Sequence, residues 1–139
     1  MSNSPLYQKC LEVATEAHKG QFRNDGVTPY ITHPIAVAEM VNTETEKCVA
    51  LLHDVLEDTD YTTFSLRKLD VPPYIVQCVL WLTHPVSETY LEYILQIKKC
   101  HSFLPEVIKV KLADMAHNSL TCSKTMRDKY DLAKYILTH

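Results

Sequence analysis

Apolar residues recur every three or four positions along most of the chain, which is the spacing of an amphipathic α-helix. The first helical stripe contains Leu6, Cys10, Val13 and Ala17. No segment shows a convincing alternation of apolar and polar residues, the pattern that predicts a β-strand. We therefore predict an all-α fold, a compact bundle of about eight helices.

Capping residues and prolines mark where these helices begin. Ser4 followed by Pro5 predicts the start of the first helix, with serine as the N-cap and proline in the first turn. Thr43 and Glu46 have the spacing of a capping box, in which each side chain bonds to the backbone of the other residue. Ser87 is expected to cap a helix in the second half of the chain.

The composition is that of an ordinary globular domain. The chain has 139 residues, of which 46% are hydrophobic, and this suffices for a single domain over residues 1–139 with a real core. Only 2 glycines argue against an all-β fold, which needs many tight turns. The net charge of −3 excludes a broad basic surface, so we expect neither nucleic acid nor a membrane as partner.

The five cysteines indicate a reducing compartment. They lie at positions 10, 48, 78, 100 and 122, without a CxxC pair and with one left over after any pairing. Such spacing suits neither a disulfide framework nor a zinc knuckle, whereas buried thiols are ordinary in the cytosol. No apolar run approaches the ~20 residues of a membrane span. We expect a cytoplasmic protein.

The segment LLHDVLEDTD, residues 51–60, places four ionisable residues in an apolar helical surround. They are His53, Asp54, Glu57 and Asp58. If the helix that begins after Thr43 continues through this segment, the side chains of His53 and Asp54 lie about 100° apart around its axis. Both can then reach one ion that lies between them. Glu57 and Asp58 then lie one turn further on, free to handle the protons of a water molecule.

One helix supplies two metal ligands at most, so other segments must complete the site. His33 lies at a loop-to-helix junction, and Asp114 lies in an apolar helical segment where a buried carboxylate needs a partner. Together with His53 and Asp54 they form a mixed set of imidazoles and carboxylates. Such a set suits Mn²⁺ or Fe²⁺ and tolerates Zn²⁺. An ion there would lower the pKa of bound water and polarise a phosphoryl oxygen.

Each of these residues taken alone has an ordinary explanation. His33 before Pro34 can simply cap a helix, and Glu57 with Asp58 can be a solvated helix end. The combination of an HD pair, a following ED pair, an upstream His-Pro and a downstream Asp favours a site. The remaining histidines are expected to be surface or structural residues: His18, His84, His101, His117 and His139.

Three stretches in this order carry a family resemblance. They read AHKGQFRNDGVTPYITHPIAVAEMV, ALLHDVLEDTDYT and VIKVKLADMAHNSLT, and they span residues 17–121. The chain resembles the HD-domain superfamily of metal-dependent phosphohydrolases. More narrowly, it is similar to the hydrolase domain of RelA/SpoT-type alarmone enzymes and to small stand-alone hydrolases of the metazoan SpoT homologue type. The HD pair followed by EDT, with the HKGQ segment upstream, is the specific part of the match.

The resemblance implies an all-α fold and hydrolysis of the 3′-pyrophosphate of (p)ppGpp, which yields GDP or GTP and pyrophosphate. It implies one Mn²⁺ as cofactor, and it implies that Glu57 and Asp58 act on the attacking water. The implied metal ligands are His33, His53, Asp54 and Asp114. The implied substrate contacts are Arg23 against the purine ring, Asn118 and Thr121 near the sugar and phosphates, and Tyr90 near a phosphate.

Two departures from the family pattern concern substrate binding. Asn24 stands where many relatives carry lysine, and Leu120 stands where many carry arginine. The loss of cations beside a highly charged substrate weakens its binding, unless Lys111, Lys124 or Arg127 compensates. The alternative interpretation of each of these three is a cation that only solvates a helix face.

These departures keep other functions open. One alternative is an HD phosphohydrolase that acts on another nucleotide, such as ppApp, NADPH or a deoxynucleoside monophosphate. Another is a non-catalytic nucleotide-binding module that has kept the fold. No synthetase domain follows in this sequence, so we expect a hydrolase alone, with its oligomeric state open.

Overall fold

The computed structural model describes residues 4–139, and nine α-helices account for most of them. The helices are Pro5–Ala17 (α1), Thr32–Glu39 (α2), Glu44–Leu52 (α3), Val55–Asp58 (α4), Thr63–Lys68 (α5), Pro73–Leu82 (α6), Tyr90–Lys99 (α7), Pro105–Asn118 (α8) and Lys124–Thr138 (α9). In this part of the chain, β pairing is confined to one isolated bridge between Phe22 and Pro29. The predicted all-α fold is thus confirmed. No helix within residues 4–139 is both long enough and apolar enough to cross a membrane.

Side-chain caps fix several helix starts. The Ser4 hydroxyl accepts a hydrogen bond from the Tyr7 N–H, as the Ser-Pro signal predicts. Thr43 and Glu46 form the predicted capping box at the start of α3. The prediction that Ser87 caps α7 is wrong. Thr89 is the cap, because the capping box needs a partner at the third helical position and Glu92 provides it for Thr89.

Helix α3 lies at the centre of the bundle. It packs against α1, α2, α6 and α8, and every side chain from Cys48 to Leu52 is fully buried. An apolar run without a polar face is typical of a helix that neighbours surround on all sides. The end of α3 therefore lies deep in the protein, and this places the residues that follow it, His53 and Asp54, in the interior.

The prediction of one continuous helix through residues 51–58 is wrong, because the helix breaks between α3 and α4. The imidazole Nδ1–H of His53 donates to the carbonyl oxygen of Ala50 at 2.6 Å. In a continuous helix that carbonyl would accept the N–H of Asp54 instead. The His53 backbone N–H also bonds to Ala50, over three residues rather than four. The local side-chain bond thus competes with the helical ladder and turns the chain at the HD pair.

We expect the buried end of α3 to be a major source of stability. Substitution of Leu51, which is fully buried, by alanine should lower the free energy of unfolding by about 2–5 kcal/mol, since it leaves a cavity. Leu132→Ala, on the exposed face of α9, is the matched control and should change stability by about 0.5 kcal/mol or less. Chemical denaturation measures both. Equal effects of the two substitutions would contradict the packing described for α3.

Candidate metal centre

Four side chains from three parts of the fold converge on one point. His33 comes from α2, His53 and Asp54 from the turn between α3 and α4, and Asp114 from α8. One nitrogen or oxygen from each lies within 4.8 Å of the others. The Asp114 Oδ1 is 2.8 Å from His33 Nε2 and 3.2 Å from His53 Nε2. The structure therefore brings together the four residues that the sequence grouped, and their role as ligands stays a prediction.

The second ring nitrogen of each histidine is also engaged. His53 Nδ1 faces the Ala50 carbonyl, which only accepts, so this nitrogen carries a hydrogen, and Nε2, which faces Asp114, is the nitrogen left to bind a cation. His33 Nδ1 lies 2.7 Å from Nδ1 of His117, and the two rings stack. A ligating histidine is ordinarily oriented through its other nitrogen in this manner. The donor set thus fits a divalent cation.

Charge compensation explains how these groups tolerate burial. Burial alone lowers the pKa of His53, but the negative charges of Asp54 and Asp114 raise it well above the ordinary value. Burial alone raises the pKa of Asp114, but the positive charges of Lys111 and His53 lower it well below the ordinary value. Each charge is stable only because an opposite charge is in contact with it. The cluster consequently depends on all its members.

Two members of the cluster escaped the sequence analysis. The hydroxyl of Tyr30 donates to Oδ2 of Asp54 and so orients that carboxylate. Lys111 was considered as a cation that compensates at the substrate or only solvates a helix face, yet its ammonium lies 3.2 Å from Asp114 Oδ2 with most of the side chain buried. The signal was present in the sequence, because residues three apart on a helix share a face.

Glu57 and Asp58 lie at the mouth of the same site. The Glu57 carboxylate accepts the backbone N–H of His84 at 2.8 Å, which fixes its position. The pKa of Asp58 is raised to about 6 by partial burial of its carboxylate and by the negative charges of Asp54 and Glu57. The two carboxylates therefore lie where the sequence analysis expected a pair of proton-handling groups, beside the predicted ligands.

Gln21 ties this mouth to the end of α1. Its side-chain N–H donates to the backbone carbonyl of Asp58 at 2.8 Å, and its Oε1 lies 2.8 Å from Nδ1 of His18. Because the amide nitrogen faces Asp58, the amide oxygen must accept from the His18 ring. His18 is buried, as a structural histidine would be. The expected loop after α1 thus positions the end of α4.

The other histidines fall into two groups. His84 stacks on Tyr93 with ring centroids 4.6 Å apart and lines the site, so it does more than cover the surface. Nδ1 of His117 contacts Nδ1 of the predicted ligand His33, and this contact orients the His33 ring. His101 and His139 are exposed, as expected of surface histidines.

A cavity of about 260 Å³ is lined by three of the four converging side chains, His53, Asp54 and Asp114. Its wall includes Tyr90, which the sequence analysis had aligned only loosely, and Asn118, whose amide donates to Asp114. A second cavity of about 440 Å³ shares the residues Tyr30, Asn118, Met126 and Tyr130 with the first. The two cavities are therefore adjacent, and we refer to them together as the groove. Its combined size suits a small organic ligand.

Arg23 occupies the far end of the groove. Its guanidinium donates to the Asn118 side chain at 3.2 Å and faces the ring of Tyr30. Thr121 and Asn24 line the same end, beside the exposed ring of Phe22, which the sequence analysis did not single out. All four predicted substrate contacts therefore border the groove. Their contact with a substrate remains a prediction.

Two of the three proposed compensating cations lie elsewhere. Lys124 pairs with Asp128 on the exposed face of α9, 3.7 Å apart. Arg127 donates to the backbone carbonyl of Ser119. Neither lines the groove, because the helical spacing of α9 places other side chains toward it. For these two residues the helix-face interpretation of the sequence analysis applies.

An all-α fold that joins an adjacent His-Asp pair to a distant histidine and a distant aspartate is the arrangement that the resemblance to HD-domain proteins implies. No family model matches the chain. Several curated proteins are nevertheless similar to it in sequence. A probable GTP pyrophosphokinase of Mycobacterium leprae is 37% identical over 128 residues, which cover 86% of this chain and 16% of the relative. The guanosine-3′,5′-bis(diphosphate) 3′-pyrophosphohydrolase of Haemophilus influenzae is 33% identical over 84% of this chain and 19% of its own length.

The bifunctional (p)ppGpp synthase/hydrolase SpoT of Escherichia coli is 36% identical over 84% of this chain. The chain spans less than a fifth of the length of these curated relatives. Among solved structures, a metazoan SpoT orthologue described as hydrolysing ppGpp matches with a TM-score of 0.76 and 28% identity. That match covers 97% of this chain and 84% of the orthologue. The chain thus resembles RelA/SpoT-type hydrolase domains over nearly all of its length, and the resemblance inferred from its motifs is confirmed.

We expect a divalent cation to stabilise the protein through this cluster. At 100 times its dissociation constant, Mn²⁺ should raise the free energy of unfolding of the wild type by about 3 kcal/mol. Asp114→Asn should abolish this gain, whereas the exposed Asp131→Asn on α9 should retain it. Thermal unfolding with Mn²⁺ and with EDTA measures the difference. A gain that survives in Asp114→Asn would place the cation elsewhere.

We expect Gln21 to stabilise the mouth of the site. Gln21→Leu should lower the free energy of unfolding by about 1–3 kcal/mol, because it removes the hydrogen-bond partner of the buried His18 and the bond to Asp58. Gln8→Leu, on the exposed face of α1, is the matched control. Urea denaturation at neutral pH compares them. If both variants unfold at the same denaturant concentration, Gln21 does not hold the two segments together.

Proposed function

We propose that this protein hydrolyses the 3′-pyrophosphate of (p)ppGpp with the help of one Mn²⁺, releasing GDP or GTP and pyrophosphate. The observation that carries the proposal is the convergence of two imidazoles and two carboxylates beside a second carboxylate pair, at one end of a nucleotide-sized groove. Relatives named as ppGpp 3′-pyrophosphohydrolases and a structural neighbour that hydrolyses ppGpp support the choice of substrate.

In this proposal His33, His53, Asp54 and Asp114 hold the ion. Mixed imidazole and carboxylate ligation is compatible with Mn²⁺, the ion that the family resemblance implies, and equally with Fe²⁺ or Zn²⁺. When bound, such an ion lowers the pKa of water and neutralises charge on a phosphoryl oxygen.

The chain's own carboxylates handle the protons. Glu57 and Asp58 lie beside the ligand set at the cavity mouth, so a water molecule and a leaving oxygen are both within their reach. The His84 backbone N–H holds Glu57, and Gln21 holds the backbone of Asp58. Groups fixed in this way need no rearrangement when the substrate arrives, and this favours catalysis.

The groove sets the orientation of the nucleotide. A purine ring stacks on the guanidinium plane of Arg23, with Phe22 beside it. Asn118 and Thr121 then face the sugar, and Tyr90 faces a phosphate near the ligands. This places the bond to be cleaved at the end where Glu57 lies.

The proposal treats residues 1–139 as one HD hydrolase domain with a small nucleotide as its partner. One continuous apolar core within the described residues supports a single domain. Five free cysteines, four of them buried, support a reducing, cytoplasmic location.

A second candidate is hydrolysis of a different nucleotide by the same centre. Asn24 lines the base end of the groove and Leu120 is exposed, so the two cations of many relatives are absent from these positions. Without the lysine, the base end lacks a charged contact to the purine, which weakens the preference for ppGpp over ppApp. Fewer cations also weaken the preference for a tetraphosphate over NADPH or dAMP. The complete donor set argues against a third possibility, a binding module without activity.

The test is product analysis with ppGpp, ppApp, NADPH and dAMP, each incubated with the Mn²⁺-loaded protein. We expect pyrophosphate release from ppGpp. Release of phosphate from NADPH or dAMP alone would favour the second candidate, and no turnover with Mn²⁺ bound would favour the binding module.

Substitutions of single carboxylates test the separate roles of the metal ligands and of the proton-handling pair. Asp54→Ala should abolish turnover and metal binding. Glu57→Gln should retain the metal and lose about 10²–10⁴-fold in kcat, since it removes a proton acceptor while preserving shape. The exposed Asp60→Asn is the control for a lost surface charge and should leave kcat unchanged. Normal turnover by Glu57→Gln would show that Glu57 is only a helix-end charge.

A further inference from the structure

Lys129 is the free cation of the metal-site cavity. Two lysines line that cavity, Lys111 and Lys129. Lys111 is bound to Asp114 at 3.2 Å and offsets its charge. Lys129 makes no ion pair with a carboxylate within residues 4–139. Its charge therefore remains available to a ligand.

The position of Lys129 follows from the register of α9. Met126, Lys129 and Tyr130 lie three and four residues apart, and all three face the groove. The Lys129 ammonium lies over the ring of Tyr90, 4.5 Å from its centroid. Tyr90 lines the same cavity, so the ring holds the ammonium at the cavity wall.

The charge balance of the cavity shows what Lys129 adds. Four carboxylates line it, from Asp54, Glu57, Asp58 and Asp114. With His53 neutral, as a histidine that ligates a metal is, the two lysines leave an excess of two negative charges, which a divalent ion would balance. A diphosphate group entering this cavity brings further negative charge. Attraction of the diphosphate group to the cavity then depends on a cation that is not already paired with a carboxylate, and Lys129 is such a cation.

We propose that Lys129 binds the diphosphate group of the substrate that leaves as pyrophosphate, and is thus a positioning residue supplied by α9. The inference rests on the proposed function for the identity of the substrate. Lys129 exchanges its contact with the Tyr90 ring for phosphate oxygens when the nucleotide binds. It takes the compensating role that the sequence analysis had considered for Lys124 and Arg127.

Binding of pyrophosphate tests this independently of turnover. Calorimetry would titrate pyrophosphate into the protein, with the same excess of Mn²⁺ in cell and syringe. Lys129→Met should raise the Kd for pyrophosphate by about 5- to 20-fold, the effect of losing one partly solvated charged hydrogen bond. Lys129→Arg should restore most of the affinity. Lys124→Met, on the exposed face of the same helix, should behave as the wild type.

GDP serves as the second probe, because it lacks the 3′-diphosphate. Its Kd should be the same for Lys129→Met and the wild type. With ppGpp as substrate, Lys129→Met should raise KM by a similar 5- to 20-fold and change kcat little. An equal loss of GDP affinity would place Lys129 at the other phosphates and overturn the inference.

The inference would also be overturned if the wild type did not bind pyrophosphate, or if Lys129→Met bound it as the wild type does. These outcomes differ from a failure of the proposed function. If ppGpp is not turned over but pyrophosphate affinity still depends on Lys129, the phosphate contact stands and the assigned reaction fails. If ppGpp is turned over normally by Lys129→Met, the reaction stands and the contact fails.

Discussion

The burial of Asp114 is the constraint on which the rest of the site depends. A carboxylate in the interior is tolerated only when cations or hydrogen-bond donors surround it. Here the imidazoles of His33 and His53 and the ammonium of Lys111 do so. These groups come from α2, from the end of α3 and from α8 itself. One buried charge thereby links three helices and fixes where a divalent cation would lie.

Competition between local and regular hydrogen bonding shapes the HD pair. A histidine side chain that bonds the carbonyl three residues earlier ends α3 at the buried centre of the bundle. His53 and Asp54 therefore leave the helix together and point to one site, with His53 Nε2 and Asp54 Oδ2 only 3.1 Å apart. The groove continues from this point toward Arg23, so the candidate chemistry and the candidate recognition lie at opposite ends of one nucleotide-sized space.

Much of the fold and of the candidate site could be predicted from the sequence, because helix periodicity and capping depend on residues close together in the chain. The capping box of Thr43 and the HD motif were found in this way. The break after α3 was missed, because helix propensity does not take into account a hydrogen bond such as that from the His53 ring to the Ala50 carbonyl. Lys111 and Tyr30 were missed as members of the cluster for other reasons. Tyr30 lies 24 residues before Asp54, so tertiary packing rather than helical spacing sets their contact. Lys111 lies three residues before Asp114 on the same helix, a spacing that was visible in the sequence, but it was weighed only as a contact for the substrate or as a cation on a helix face.

The site as we interpret it is organised by one divalent cation, held by four side chains, with the carboxylate pair and the groove arranged around it. Anomalous diffraction at the manganese edge, from crystals grown with Mn²⁺, tests this arrangement most directly. We expect one strong peak bonded to His33, His53, Asp54 and Asp114. A peak bonded to other residues, with these four donors still bonded only to one another, would contradict it.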